Sequence, residues 1–288
     1  MTDGNHGVAV ASVAKKSGRK AVIFVPANMV KARRDALTNL GATVHVVNGS
    51  YDDAIDVVRQ RAEENGWCLV SDTSWPGYEE IPTAIVAGYG SIFREIEDDL
   101  IQQKAKPVTH VLVQAGVGGL AGAAAAWLHW RRTKISCWSD NAELIIVEPR
   151  DAAACFENVD RNAMQLKPCS GATDSLMSGL NCGVPSYVTW PLIRRTASQY
   201  VLIEDEVARK AMRILSQDGI VAGESGAAGI GGALEIKFPR DSVVLVVNTE
   251  ADTDPESYAR IINQGKKRRI IAAMAFVSAM FVISRIVL

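Results

Sequence analysis

The feature that most constrains this chain is a regular alternation of short apolar strands and helical segments. KAVIFVP (Lys20 to Pro26) reads as a β-branched strand, and NMVKARRDALTNLG (Asn28 to Gly41) as an amphipathic helix stopped by glycine. TVHVVN is the next strand, followed by the helical YDDAIDVVRQRAEENG. WCLVSDT (Trp67 to Thr73) reads as strand, and EIPTAIVAGYGSIFREIEDDLIQ as a long helix. VTHVLVQ (Val108 to Gln114) runs straight into AGVGGLAGAAAAWLHW; ELIIVEP (Glu143 to Pro149) and SVVLVVN (Ser242 to Asn248) complete the strands. Strands separated by helices form βαβ units, so the expected fold is α/β, a mostly parallel sheet with helices on both faces. Residues 157–187 carry no clear period and are expected to meander.

Composition narrows the function. The 288 residues suffice for one large or two medium domains, and 48% apolar against 22% charged residues is a globular balance. The net charge of -1, with basic residues scattered until the end, excludes an electrostatic nucleic-acid footprint. The five cysteines include no C-x-x-C pair, which argues against a disulfide framework or a zinc site. Buried, reduced thiols are expected, Cys155 and Cys182 included, although those two flank the irregular region and could meet in space. The start carries no secretory signal pattern, so a cytoplasmic location is expected. After GKKRR (Gly265 to Arg269) comes IIAAMAFVSAMFVISRIVL, just short of the roughly 20 apolar residues that span a bilayer. It reads as a membrane tail anchor through 270–288 with a basic cytosolic flank, as a buried helix, or as residues foreign to the protein.

Chemistry concentrates in a few stretches. DGNHG, at Asp3 to Gly7, looks like a ligand-binding loop, with Asn5 as the N-cap of the helix that follows; a plain flexible terminus is the alternative. Gly116-Val117-Gly118-Gly119-Leu120 lies between a strand and a helix, where glycine amides and a helix N-terminus can cradle a phosphate. Gly116, Gly118 and Ala121 also satisfy a dinucleotide-binding turn, with Glu148 where a ribose-binding acid would stand, and a simple packing turn is the remaining alternative. A second glycine run, GESGAAG, would turn Glu224 toward a ligand. Asp72 and Thr249 each follow a strand, and ligands of parallel sheets bind at the carboxyl ends of strands.

In this order, DGNHG, SDTSWPGYEEIPT, QAGVGGLAG, IIVEP, GESGAAG and NTEADTD resemble the diaminopropionate ammonia-lyases, pyridoxal phosphate (PLP) enzymes of the tryptophan-synthase-β-like group. The resemblance implies α,β-elimination of 2,3-diaminopropionate, a small amino-acid substrate, to pyruvate and ammonia. It implies Asn5 at the cofactor's ring hydroxyl, Gly116 to Leu120 at its phosphate and Thr249 near its ring nitrogen. Asp3 and Asp72 would be the two acid/base carboxylates, one for each stereoisomer, with His6 and Tyr51 on the substrate side. A homodimer is implied for the complete enzyme.

The family's Schiff-base lysine belongs to a segment upstream of DGNHG, and only Met1 and Thr2 precede that motif here. The chain is therefore expected to be an N-terminally truncated relative, with a lyase-like domain over 1–265 and a basic flank plus apolar segment over 266–288. The rival expectations are a non-catalytic remnant of the fold, membrane-tethered through its tail, and a nicotinamide-dependent oxidoreductase using the Gly116 turn.

Overall fold

A computed structural model describes residues 4–27, 29–48, 51–266 and 280–284. In chain order the elements are α1 (Asn5–Lys16), β1 (Val22–Pro26), α2 (Lys31–Asn39), β2 (Thr43–Val47), α3 (Tyr51–Asn65) and α4 (Glu80–Gln102). There follow β3 (Val108–Gln114), α5 (Gly119–Arg131), β4 (Trp138–Pro149), α6 (Trp190–Thr196), β5 (Ala197–Ile203) and α7 (Asp205–Gln217). The last are α8 (Ala228–Leu234), β6 (Val244–Asn248), α9 (Pro255–Lys266) and β7 (Met280–Ser284). β1 and β2 form a small parallel sheet; the other five strands form a larger one in the order β5-β4-β3-β6-β7, parallel throughout. The α/β class with a parallel sheet is what the sequence pattern predicts.

The unbroken apolar strands are explained by burial on both faces. Successive side chains of a strand point to opposite sides. Val111 and Val113 of β3, Leu144 and Ile146 of β4, and Leu245 and Val247 of β6 pack with Phe93, Ile96 and Leu100 of α4, the alanines of α5, and Trp190 and Ile193 of α6. Their neighbours Leu112, Ile145, Val147, Val244 and Val246 pack with α7, α8 and Ile261 of α9. The first face is stitched by the buried Glu97 of α4, whose carboxylate accepts from the indoles of Trp127 and Trp138 and from Arg131. On the second face α8 lies almost on the sheet: a Cβ on Gly232 would stand 2.4 Å from Val147 Cγ2, and one on Gly229 2.5 Å from Val246 Cγ1.

Three expectations need correction. Trp67 to Thr73 is not a strand. Its backbone groups are taken by side chains instead of a ladder: the Tyr78 hydroxyl donates to Leu69 O and accepts from Ser71 N, and His6 Nε2 meets Val70 O. β5 and α7 were not anticipated, although α7 is strongly amphipathic, with Ala208, Ala211, Met212 and Leu215 on its buried face. Of the apolar tail, Met280–Ser284 is a strand paired with Val244–Asn248 rather than part of a helix; a β-rich run can add to an open sheet edge. Residues 267–279 and 285–288 lie outside the described residues, and no described helix is long and apolar enough to cross a membrane. The irregular region does meander, with short 3-10 turns at Phe156–Asn158, Ala163–Gln165 and Ser178–Leu180. All five cysteines are free thiols.

The end of β4 holds Glu148, fully buried, with its carboxylate accepting from the amides of Cys155 (2.7 Å) and Phe156 (2.9 Å). Burial pushes its pKa up to about 7, against the partial relief those two amides give. A carboxyl held above its unfolded value favours the folded state when protonated, so its contribution is lost as pH rises through the folded pKa. Folding stability from this group should therefore fall between about pH 4.5 and 7, and Glu148→Gln should flatten that part of a urea-denaturation pH series. Gly232→Ala should cost about 1–3 kcal/mol in the same assay, because its methyl has no room against Val147. A neutral result there would show that α8 is free to move off the sheet.

Candidate functional site

The strand order fixes where a ligand can bind. From β3 the chain proceeds outward through β4 and β5, whereas β6 lies on the other side of β3. The crevice at the carboxyl ends of β3 and β6 is therefore the topological switch point, the usual ligand site of open parallel sheets. A cavity of about 430 Å³ opens there, walled by the ends of both strands, the start of α1 and the 172–182 segment. That size suits a small organic cofactor with a small substrate.

At the end of β3, Gly116 to Leu120 line the cavity and lead into α5. Gly118, the N-cap, has φ +91°, a conformation that suits only glycine well, and a Cβ there would also stand 2.7 Å from Ile193 Cδ1. Gly116 lies against the opposite wall, where a Cβ would be 3.1 Å from Gly179 O and 3.2 Å from Cys182 Sγ. The first turn of α5 carries no acidic residue, so its amides and helix dipole present positive potential to the cavity. The loop is braced from below: Ser186 N donates to Val117 O (2.8 Å), and the Ser186 and Ser74 hydroxyls bond at 2.6 Å.

At the end of β6, Thr249 and Glu250 line the cavity. Gln114 Nε2 donates weakly to Thr249 Oγ1 at 3.4 Å, which leaves the threonine proton for an acceptor. Asn5 Nδ2 donates to Thr249 O at 3.3 Å. Asn5 is thus the first residue of α1 and not its cap; Gly4 occupies the N-cap, and the Asn5 amide is used across the cavity. Glu250 is buried, accepting from Ser225 N (2.9 Å) and Gly226 N (3.0 Å) through one oxygen, and from Arg33 Nη2 (3.0 Å) and Thr253 Oγ1 (3.0 Å) through the other. Arg33, on α2, also bonds Thr253 Oγ1 and the cavity residue Ser178.

The other anticipated residues divide. His6 and Asp72 line the cavity. Asp3 lies outside the described residues; so does the side chain of Tyr51, the first residue of α3. Glu224 does not line the cavity: it is buried beside Ser257, which bonds its carboxylate, while burial raises its pKa. Glu148 is sealed in the sheet by Cys155 and Phe156, so it cannot bind a ribose, and the dinucleotide reading of the Gly116 turn loses its acid. Not foreseen were Glu250, Arg33 and Tyr89. Tyr89 lines the cavity beside Gly119, and burial first, then the Asp72 charge, raises its pKa to about 12. Its hydroxyl therefore stays protonated. In KARRDAL nothing local separates the buried Arg33 from its half-buried neighbour Arg34.

These residues fit a phosphorylated, ring-bearing cofactor such as PLP. There is a glycine cradle that added Cβ atoms would fill, a hydroxyl with a proton to give, and a buried Gln114 Oε1 with no hydrogen-bond partner among the described residues. No lysine is among the described residues lining the cavity.

The chain is similar to known proteins in both sequence and fold. The family profile described as pyridoxal-phosphate dependent enzyme matches residues 1–250. Diaminopropionate ammonia-lyase of Escherichia coli K12 is 36% identical over 284 residues, covering 92% of this chain and 69% of that protein. The Salmonella typhimurium enzyme of the same name is 32% identical over 285 residues, with the same coverage. Among solved structures, holo diaminopropionate ammonia lyase from Escherichia coli superposes with a TM-score of 0.81 at 35% identity, over 92% of this chain and 69% of that one. The same enzyme in complex with D-serine also gives 0.81 at 35% identity, over 93% and 70%. Maize serine racemase, at 19% identity and a TM-score of 0.73, shares the fold. The chain belongs to the pyridoxal-phosphate dependent enzymes, as a homologue of the diaminopropionate ammonia-lyases.

Proposed function

We propose that this chain binds PLP in the cavity at the ends of β3 and β6 and acts on 2,3-diaminopropionate by α,β-elimination, giving pyruvate and ammonia. The observation that carries the reading is the glycine cradle facing Thr249 and Asp72 across one cavity. Gly116 to Leu120 and the α5 N-terminus would hold the phosphate, Asn5 would donate a hydrogen bond to the ring hydroxyl, and the Thr249 hydroxyl would donate one to the ring nitrogen. When bound, the cofactor supplies an electron sink for the carbanion left at the substrate Cα. Asp72 takes the Cα proton of one stereoisomer. Asp3, next to the cavity residue Gly4, serves the other. Tyr89, held protonated by burial and by the nearby Asp72 charge, lines the same cavity. His6, tied to Val70 O, closes the substrate side.

A second reading, cofactor binding without turnover, is favoured by one observation, the lack of a lysine among the described lining residues. Pyruvate release separates the two. Formation of pyruvate from 2,3-diaminopropionate by the PLP-loaded chain supports the enzyme; saturable PLP uptake with no pyruvate above a heat-killed control supports the second reading. If the chain turns over, Asp72→Asn should lower kcat for one stereoisomer by about 100-fold or more while leaving PLP uptake intact. Equal turnover by the variant would remove Asp72 from proton transfer.

The Arg33–Glu250 pair generates a further expectation. Arg33→Met leaves a buried carboxylate without its cation, which costs about 3–5 kcal/mol when a buried pair is broken. Chemical denaturation should show that loss, and PLP affinity should fall with it, because Glu250 holds the GESG amides beside Thr249. A variant with unchanged stability would show that the pair is not a structural tie.

A further inference from the structure

The cavity has a second carboxylate wall that the roles above do not use. Asp174 lines it from the 172–182 segment, the side that packs on Gly116. No hydrogen bond or ion pair to its carboxylate is found among the described residues, although the chain on either side is tightly held. On one side, Thr173 has φ +52°, a costly conformation for a β-branched residue, and its amide is fixed to Asp151 O at 2.8 Å. Gly171 lies so close to Asp151 that a Cβ would stand 2.2 Å from its carbonyl oxygen. On the other side, Ser175 and Asn181 clasp one another through three hydrogen bonds of 2.7 to 3.1 Å, and Leu176 N is held by Asp205 at 2.9 Å. A left-handed threonine kept in place by this bracing is strain retained at a fixed point of a ligand cavity. Its effect is to present the next side chain, Asp174.

We propose that Asp174 is a specificity-determining residue that pairs with the second, protonated amine of a diamino-acid substrate. The inference rests on the function proposed above and deepens it. 2,3-Diaminopropionate and serine share the amino-acid head and differ in bearing an ammonium or a hydroxyl on Cβ. A carboxylate with no protein partner rewards the cation more than the neutral hydroxyl. Asp174 is exposed at the cavity mouth, so solvent screens the pair and its effect is modest.

The test is a binding titration of the PLP-loaded full chain by tryptophan fluorescence, with 2,3-diaminopropionate and with serine, for the wild type, Asp174→Asn and Asp174→Glu. The proposal predicts that Asp174→Asn binds 2,3-diaminopropionate at least five-fold more weakly, with serine changed by less than two-fold. Asp174→Glu, which keeps the charge, should retain the preference. Added salt should shrink the wild-type preference. An equal change for both ligands, no change for either, or a Glu variant as impaired as the Asn variant overturns the assignment of Asp174 alone. A wild-type chain that takes up no PLP overturns the reading of the cavity and this inference with it.

Discussion

A guanidinium and a carboxylate, both nearly withdrawn from water, tie the small lobe of this protein to the large one. Arg33 comes from α2, beside the two-stranded sheet; Glu250 follows β6 of the five-stranded sheet. An isolated pair of this kind gains little, since desolvation offsets the attraction. Here every oxygen of Glu250 is used, by Arg33 and Thr253 on one side and by the amides of Ser225 and Gly226 on the other. The pair therefore fixes geometry. It holds the GESG turn against the end of β6, places Thr249 opposite the glycine cradle, and lets Asn5 reach Thr249 from α1.

The larger sheet explains why the cavity lies where it does. Its strands are apolar on both faces because helices cover both, and the polar cavity opens at strand ends. The reversal of strand order between β3 and β6 leaves a gap at their carboxyl ends, which the glycine-rich turn keeps open by removing side chains that would fill it. The same rule operates under the sheet, where Gly229 and Gly232 bring α8 into contact with β6 and β4. Small residues here set distances between backbones, and those distances set the cavity.

Much of this was legible in the sequence, for physical reasons that differ by residue. The parallel class followed from apolar strands alternating with helices, and Gly116 to Leu120 from a glycine run between strand and helix; both are local patterns. Asp72 and Thr249 stand out in the sequence because each follows an apolar run, and both line the cavity. What escaped depends on contacts distant in sequence. Arg33 looks like any arginine of a solvated helix until Glu250, 217 positions away, is beside it. Glu224 and Glu250 both follow a glycine run or a strand, and only the fold shows that Glu250 meets the cavity while Glu224 turns to Ser257. Asn5 had the chemistry of a cap and was given a tertiary partner instead. Trp67 to Thr73 had the composition of a strand, yet Tyr78 and His6 satisfy its backbone.

The central claim is that the cradle after β3 holds the phosphate of the cofactor. Equilibrium dialysis of the full chain against PLP and, separately, against pyridoxal, which has the ring and aldehyde but no phosphate, tests it most directly. The account predicts saturable uptake of one PLP per chain, with pyridoxal bound far more weakly. Equal affinity for the two, or PLP uptake that never saturates, would contradict it.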